Sequence, residues 1–505
     1  MKNAVNLAMN LVGFVVTFGI SFFLSPYIVR TLGVEANGLI GLTTNFLNYA
    51  SVLTIVLSSM AARFITVELK LKHPDAANEF YTAAYAGHLL GVLVLLPIMA
   101  VTILNFGSWF NVPAHLVHDA QLLAAMYFVH FLVALLVPLW PVGTWATNNL
   151  YLDSLRGMQS VLIRGGLILV FFLIFDPAVY FVGLATLVSG IFSLAFSGYY
   201  KHRFLPDLRV HAHSFRWARM RELWVAGFWN TVNYLGGVLS TGFHLLLAGV
   251  FLGATPMGLL GLAMTVPAMV NQLGMNLTTV FQPNLAFAFA DNDTELMKQQ
   301  VVRAMSVTSL LTMMPLATLI VFGETFFALW VPTEDARLLD WMSIATAAGL
   351  GLSVLTQPLQ NIFVITNSQR RHSLASLVMG VLNVTLALAL LLTTDLGVFA
   401  ILLAAIISTS GRALIFTVPM AGRRVGGNAW ALLPEVLRGL GYLAVLVLIG
   451  LMIHTIHAPT SWLGFIGSVA AMCILGGLVN TAILTSRSDR QMIVSVARRL
   501  WPSRR

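Results

Sequence analysis

An all-α polytopic membrane protein is the fold class this sequence predicts, and three observations carry that reading. The chain of 505 residues is 58% apolar and only 9% charged, with a mean hydropathy of +0.85, far from the composition of soluble domains. Its apolar runs are each about 20 residues or longer, the length an α-helix needs to cross a hydrocarbon core, and they lack the roughly ten-residue alternation of a membrane β-barrel. Its charges fall in the short stretches between those runs.

About fourteen spans follow in order. The first, 7–29, comes after Lys2 with no short apolar region ending in a cleavable small-residue site, so it reads as an uncleaved helix rather than a signal peptide. The second, 38–64, opens after the turn LGVEANG; the third and fourth lie at 80–104 and 121–147. YLDSLRGMQSVLIR leads into the fifth, 159–176, which is followed closely by the sixth, 178–199. The basic stretch KHRFLPDLRVHAHSFRWARMR (201–221) precedes the seventh, 224–252, and LGATPM turns the chain into the eighth, 257–287. The ninth and tenth are 301–330 and 340–366; NSQRRH (367–372) introduces the eleventh, 373–393, and TTDLG the twelfth, 397–420. GRRVGG (422–427) precedes the thirteenth, 432–455, and the fourteenth, 461–485, after which the tail from Arg487 is basic.

The charges test that count. With a cytoplasmic N-terminus, the even-to-odd connections face the cytoplasm and should hold most Lys and Arg. Of the 28 basic residues only Arg30 and Arg337 fall on the outer side. The net charge of +9 is therefore topology plus attraction to anionic inner-leaflet lipid, and no nucleic-acid partner is expected. Outer loops are too short to hold a folded domain. Within 201–221, Phe215, Trp217 and Met220 interleave with Arg216, Arg219 and Arg221, which suggests an amphipathic surface piece joining two halves. The single cysteine, Cys473, sits in an apolar run and allows no intramolecular disulfide.

The halves repeat one another. RTLGVEANGLIGL (30–42) and FLGATPMGLLGL (251–262) align so that Leu32/Leu252, Gly33/Gly253, Gly38/Gly258, Leu39/Leu259, Gly41/Gly261 and Leu42/Leu262 are identical. With 40 glycines in the chain, three coincident glycines arise by chance roughly 5 times in ten thousand at one offset, so a second match is needed. DPAVYFVGLATLVS (176–189) against DLGVFAILLAAIIS (395–408) supplies it, with Asp176/Asp395, Val179/Val398, Leu184/Leu403, Ala185/Ala404 and Ser189/Ser408 identical. The first match joins spans 1–2 to 7–8 and the second joins 5–6 to 11–12. Two six-helix lobes of like orientation follow, related by a pseudo-two-fold axis along the membrane normal, with two C-terminal helices added. The expected organisation is an N-terminal lobe at 1–200, a basic cytoplasmic linker at 201–222, a C-terminal lobe at 223–421, and two extra helices with a basic tail at 422–505. Gly33 and Gly253 end a helix before an outer turn, and Gly38/Gly41 and Gly258/Gly261 open the next with surfaces that permit close backbone approach. Two parallel lobes facing a central cavity are a rocker-type transporter design.

SPYIVRTLGVEANGLIGL, a second span ending SSMAARF, and the inner connections YLDSLRGMQSVLIR and VITNSQRRHSLASLVMGVLN together resemble polysaccharide-repeat flippases. These form the O-antigen or Wzx-like branch of the multidrug/oligosaccharidyl-lipid/polysaccharide exporter superfamily. The resemblance covers essentially the whole chain through diffuse motifs rather than a catalytic signature. It implies twelve core helices in a V-shaped pair of lobes, residence in a bacterial inner membrane with both termini cytoplasmic, and translocation of an undecaprenyl-diphosphate-linked oligosaccharide during lipopolysaccharide or related polysaccharide biosynthesis. A polysaccharide polymerase is the candidate protein partner, and no cofactor is implied.

Such cargo is anionic at its head and asks for cations, amides and aromatics. Among intramembrane acids, Glu35, Asp176, Glu324 and Asp395 sit near outer ends and Glu68, Asp153, Glu222 and Glu435 near inner ends. The absence of a mid-depth carboxylate argues against small-cation antiport, which needs one to bind a coupling ion and a cationic drug. Arg412 in STSGRALIF is roughly 12 Å from the inner end of its span at 1.5 Å per residue, deep enough that facing lipid would be costly. It is read as a contact to cargo phosphate or as a structural residue bonding helix carbonyls. Arg63 and Arg164 lie nearer the cytoplasmic edge, where snorkelling competes with cargo contact. Arg30 and Glu35 form a candidate gate pair.

Amides supply a second set. Asn45, Asn48 and Tyr49 share a helical face, as do Asn230, Asn233 and Tyr234, and Gln357, Gln360 and Asn361; Asn271, Gln272, Asn276 and Gln282 belong with them. They are read as helix-to-helix ties or as sugar contacts. His88, His130 and His244 stand isolated and read as satisfied core imidazoles, and His454 with His457 lacks a third metal ligand. No HExxH, P-loop, dinucleotide fingerprint or nucleophile elbow occurs, so an enzyme is not expected. A lipid II-type flippase is a rival, weakened because Val5–Val29 has no Arg; an efflux antiporter is another, and a membrane polymerase or ligase would need large outer loops.

Overall fold

The structure, a computed structural model, describes residues 2–483 except 138, 367 and 426. The basic tail expected from Arg487 lies outside the described residues. Among the described residues fourteen helices are long and apolar enough to cross a membrane, and no strand occurs. They are α1 (Lys2–Leu32), α2 (Val34–Lys70), α3 (Pro74–Leu104), α4 (Ala114–Leu136), α5 (Leu150–Ile174), α6 (Tyr180–Phe204), α7 (Trp217–Phe251), α8 (Ala254–Ala290), α9 (Thr294–Trp330), α10 (Ala336–Ile365), α11 (Gln369–Thr393), α12 (Val398–Val425), α13 (Leu433–Ile456) and α14 (Trp462–Ile483).

Several helices overrun their expected ends because hydropathy marks only the apolar middle of a span. α2 has 37 residues, about 55 Å of helix, which exceeds a hydrocarbon core of roughly 30 Å. Polar caps set the true ends. Asp293 accepts from Leu296 N at 2.8 Å to open α9, and Asp335 accepts from Arg337 N and Leu338 N at 3.0 Å to open α10. The fourth span, expected to run to 147, ends at Leu136; Pro141 then opens a separate short helix, Val142–Ala146.

The expected amphipathic piece at 215–221 also changes character. Trp217 is the first residue of α7, so the connection from α6 shortens to 205–216, with one short turn at Ala212–Ser214. Met220 and Leu223 are buried against Phe80 and Ala84 of α3, while Phe215 and Trp217 stay exposed. Arg219 anchors this end: it donates to Glu79 at 3.0 Å and Glu222 at 3.3 Å, and its guanidinium lies 4.6 Å from the centroid of the Phe80 ring.

Residues 1–262 and 263–505 form two compact units. In the first, α1 packs on α5, α2 on α3 and α7, α3 on α4, and α6 on both α4 and α5. In the second, α9 packs on α10 and α13, α12 on both α10 and α11, and α13 on α14. The pairings α3/α4, α4/α6 and α5/α6 thus recur as α9/α10, α10/α12 and α11/α12, six helices later. Outward faces are apolar, as lipid requires: on α3, Leu90, Leu93 and Val94 are exposed whereas Ala83, Ala84 and Gly87 are buried.

The repeated glycines have a structural role. Gly33 and Gly253 have φ of +88° and +97°, a conformation that L side chains resist, and each turns the chain from one helix into the next. Gly38 lies against Gly258 so closely that a Cβ on Gly38 would stand 2.8 Å from the Gly258 nitrogen. The two copies of the motif therefore touch, backbone to backbone, through the residues that repeat.

Candidate functional site

The polar residues of the second unit converge on α10. Ser353, Gln357 and Asn361 succeed one another at intervals of four and so share a face, despite the tighter turn at Gln357–Leu359 imposed around Pro358. Each is bonded across to another helix. Gln357 Nε2 donates to Asn271 Oδ1 at 2.6 Å and Asn361 Nδ2 to the Thr278 carbonyl at 3.0 Å, both on α8. One turn earlier, Thr409 of α12 donates to the Gly349 carbonyl at 3.0 Å.

Arg412 sits in this row. Its Nη2 donates to Ser353 Oγ at 3.2 Å and its Nη1 to Ser376 Oγ of α11 at 3.4 Å. The residue begins a π-helical segment, Arg412–Thr417, in the middle of α12. Such widened turns interrupt the regular ladder and occur often at functional sites. Both partners are neutral hydroxyls, and no ion pair to Arg412 occurs among the described residues. A half-buried guanidinium without a counter-charge is costly unless something anionic completes it.

His372 is one turn before Ser376 on the same face of α11. It is 6% exposed, its Nδ1 has no hydrogen-bond partner, and its ring stacks on Phe363 of α10 with centroids 4.6 Å apart and planes 18° apart. Gln357 Oε1 and Thr278 Oγ1 are likewise buried without partners. The donors and acceptors of this region are under-satisfied from several sides.

The first unit is different. Tyr49 Oη donates to the Gly242 carbonyl at 2.6 Å, at the end of a second π-helical segment, Val238–Gly242, and its ring lies 5.0 Å from that of Phe243. Tyr234 meets Ser51. The α2 set and the α7 set are thereby tied together, with Asn48 donating to Asn45 at 3.5 Å. Asn230 and Asn233 are half-buried on α7, and Gln360 is half-buried on α10.

The remaining expected residues are scattered. Arg63 is exposed on α2 and Arg164 is half-buried on α5 with its Nε lacking a partner. At the other end of α2, Glu35 Oε1 accepts from Thr255 Oγ1 at 2.8 Å, beside the Gly38–Gly258 contact, and Arg30 is exposed at the end of α1. Of the isolated histidines, His88 bonds the Ala84 carbonyl at 2.7 Å, whereas His130 Nδ1 has no partner.

Sequence reasoning passed over several residues. Ser353, Ser376 and His372 needed the cross-helix pairing that only the fold supplies. Arg156 is held by Asp153 at 3.2 Å and by Ser197, and Asp153 also accepts from Thr144 at 2.6 Å; the three-residue spacing of Asp153 and Arg156 is the signal that could have found them. Lys201, placed in the basic connection by sequence, is 3% exposed with its ammonium 5.5 Å above the Tyr81 ring. Asp340, missing from the acid inventory, lies against Gly323 with Oδ1 unpartnered.

Residues 4–289 match the family described as polysaccharide biosynthesis protein. EpsK of Bacillus subtilis strain 168, an uncharacterized membrane protein, is 27% identical over 494 residues, which cover 98% of each chain. Among solved structures, an inward-facing multidrug resistance MATE family transporter of the MOP superfamily aligns with a TM-score of 0.65 at 15% identity, over 85% of this chain and 99% of its own. A MOP superfamily transporter from Pyrococcus furiosus, described by the reverse polarity of its binding pocket, aligns at 0.62 with 13% identity, over 84% and 96%. At these identities the two structures establish the fold alone.

Proposed function

Because this chain belongs to the polysaccharide biosynthesis protein family, we propose that it is a flippase for undecaprenyl-diphosphate-linked oligosaccharide repeat units. It moves them from the cytoplasmic to the periplasmic leaflet of a bacterial inner membrane. The observation that carries the reading is Arg412: a guanidinium deep in a membrane span, bonded to the hydroxyls of Ser353 and Ser376 with no ion pair among the described residues, and set in a row of amides. A diphosphate supplies the missing negative charge, and hydroxyl-rich sugars match amides that bond neutral groups.

The cycle is alternating access. The head group enters from the cytoplasmic side, Arg412 takes the diphosphate, Gln357, Gln360 and Asn361 meet the sugars, and the polyprenyl tail stays in lipid. Asn45, Asn48 and Tyr49 on α2 of the first six-helix lobe, and Asn230 and Asn233 on α7 of the second, meet sugars in the same way. Arg63 and Arg164 guide the anion near the cytoplasmic edge, and Glu35 on α2 and Arg30 at the end of α1 close the outer end where Gly38 meets Gly258. A diphosphate diester carries two negative charges, so an inside-negative potential favours its outward passage by about 2.3 kcal/mol per charge per 100 mV. A polysaccharide polymerase is the partner that would consume the delivered unit.

Small-molecule efflux is the second reading, favoured by the MATE fold alone. The two separate in a deletion strain. Loss of the gene should trap undecaprenyl-linked oligosaccharide in the inner leaflet and abolish the surface polymer, with the wild-type gene restoring both. Unchanged sidedness, with altered resistance to cationic drugs, would refute the flippase reading and support efflux.

A further inference from the structure

Of the three arginines at the start of α7, two are paired. Arg219 is held by Glu79 at 3.0 Å and Glu222 at 3.3 Å, and Arg216 lies 3.5 Å from Glu79. Arg221 is exposed and has no ion pair among the described residues. Its place on the helix is the reason. Met220, Leu223 and Gly227 form the stripe that packs on α3 and α2. Trp217, Arg221, Trp224 and Phe228 follow one another at intervals of four, three and four, so they form a second stripe, and all four are exposed.

That stripe is graded by polarity. Phe228 and its neighbour Val225 come first, then Trp224, then Arg221, with Trp217 last. α7 has 35 residues, about 52 Å of helix. Counted from Phe251 at its other end, Phe228 stands at about 35 Å and Arg221 at about 45 Å, against a bilayer of roughly 30 Å of hydrocarbon and 40–45 Å with its headgroups. The apolar pair therefore meets the ends of the acyl chains, Trp224 the boundary where indoles partition, and Arg221 the headgroups. The two tryptophans are about 10 Å apart along the axis, yet their rings meet edge to face with centroids 5.7 Å apart. They lean together over the turn that carries Arg221.

We propose that Trp217, Arg221 and Trp224 form a binding site for one phospholipid with an anionic headgroup. The guanidinium takes the phosphate as a fork, the paired indoles cover the glycerol region, and Val225 and Phe228 carry the first part of the acyl chains. Charge decides the occupant. Three guanidinium groups stand with two carboxylates, both engaged by Arg216 and Arg219, so the excess positive charge is left on the stripe that faces lipid. A zwitterionic headgroup brings a cation of its own into that field, whereas an anionic one does not. The leaflet is the one α7 enters at Trp217, which the proposed topology makes the cytoplasmic one. The site stands apart from Arg412 and does not depend on what the protein carries.

The test is tryptophan fluorescence of the full chain in nanodiscs of phosphatidylcholine doped with a brominated lipid, since bromine quenches indole on contact. The signal of the pair is the difference between the wild type and Trp217→Phe/Trp224→Phe. Brominated phosphatidylglycerol should quench it at roughly a fifth of the concentration that brominated phosphatidylcholine requires. Arg221→Gln should bring the two lipids level. Arg209→Gln, which removes a charge from the preceding connection at a position that is also exposed, should keep the preference. Equal quenching by the two lipids in the wild type would overturn the site. A preference that survives Arg221→Gln, or that falls equally in Arg209→Gln, would overturn it too and mark diffuse attraction to the basic connection. The wild-type comparison decides even where a variant folds poorly.

Discussion

The polar residues of the two units look alike in sequence and differ in the structure. In the first unit, Tyr49, Tyr234 and their neighbours answer one another: the tyrosine hydroxyl meets a backbone carbonyl, and the amides of Asn45 and Asn48 meet. In the second, Arg412 carries a charge that its serine partners cannot balance, and Gln357, Thr278 and His372 each leave a buried polar atom open. A polar group that is satisfied inside a membrane holds helices together; one left wanting implies a ligand. The contrast holds for these two clusters; elsewhere in the first unit Arg164 Nε and His130 Nδ1 are also buried without partners, and what sets the second cluster apart is the guanidinium of Arg412 among neutral hydroxyls.

Substitutions can break or sharpen that contrast. The largest effect is expected at Arg412: Arg412→Ala should cost transport roughly a hundredfold, about 3 kcal/mol, with folding intact, and Arg412→Lys should recover only part because a point charge cannot reach two sites as a fork does. Export of lipid-linked sugar, measured beside membrane-inserted protein, checks both. Next comes Gly227, whose Cβ would run into the Val56 carbonyl where α7 meets α2. Gly227→Ala should destabilise by about 1–3 kcal/mol, read as a lowered melting temperature in detergent, because backbone cannot yield as a side chain can.

Tyr49→Phe should be milder. It removes one hydrogen bond to the Gly242 carbonyl, worth about 1 kcal/mol of stability, and leaves transport within about twofold if the bond is scaffold. A deeper loss of transport at unchanged stability would move Tyr49 into the site. Arg63→Gln should do least, since the residue is exposed, with export within about twofold and steady-state protein unchanged. Thermal unfolding and export assays run together order the four.

Much of this was legible beforehand. Fourteen spans follow from hydropathy because each backbone polar group must be satisfied within its own helix, which makes long apolar runs unmistakable. The glycine repeat was legible because positive φ and backbone contact both exclude side chains, as Gly33, Gly253 and the Gly38–Gly258 contact show. Arg412 was legible from depth. Its partners were not: a helix that is apolar nearly all round leaves its rotation undetermined, so Ser353 and Ser376 looked like any small residues. The buried ammonium of Lys201 was hidden for the opposite reason, since a basic residue at a helix end reads as topology until Tyr81 is seen beneath it. The start of α7 at Trp217 was hidden too, because a helix turn that packs on Phe80 through Met220 and exposes Arg221 to water carries too many charges to register as apolar.

The most direct test of the central claim is translocation in proteoliposomes holding the purified chain, with a diphosphate-linked disaccharide on a short polyprenyl tail as cargo and a cationic dye as control. The account predicts that the wild type moves the diphosphate lipid and not the dye, and that Arg412→Ala, folded and inserted, moves neither. Dye transport without movement of the diphosphate lipid, or equal flipping by wild type and Arg412→Ala, would contradict it.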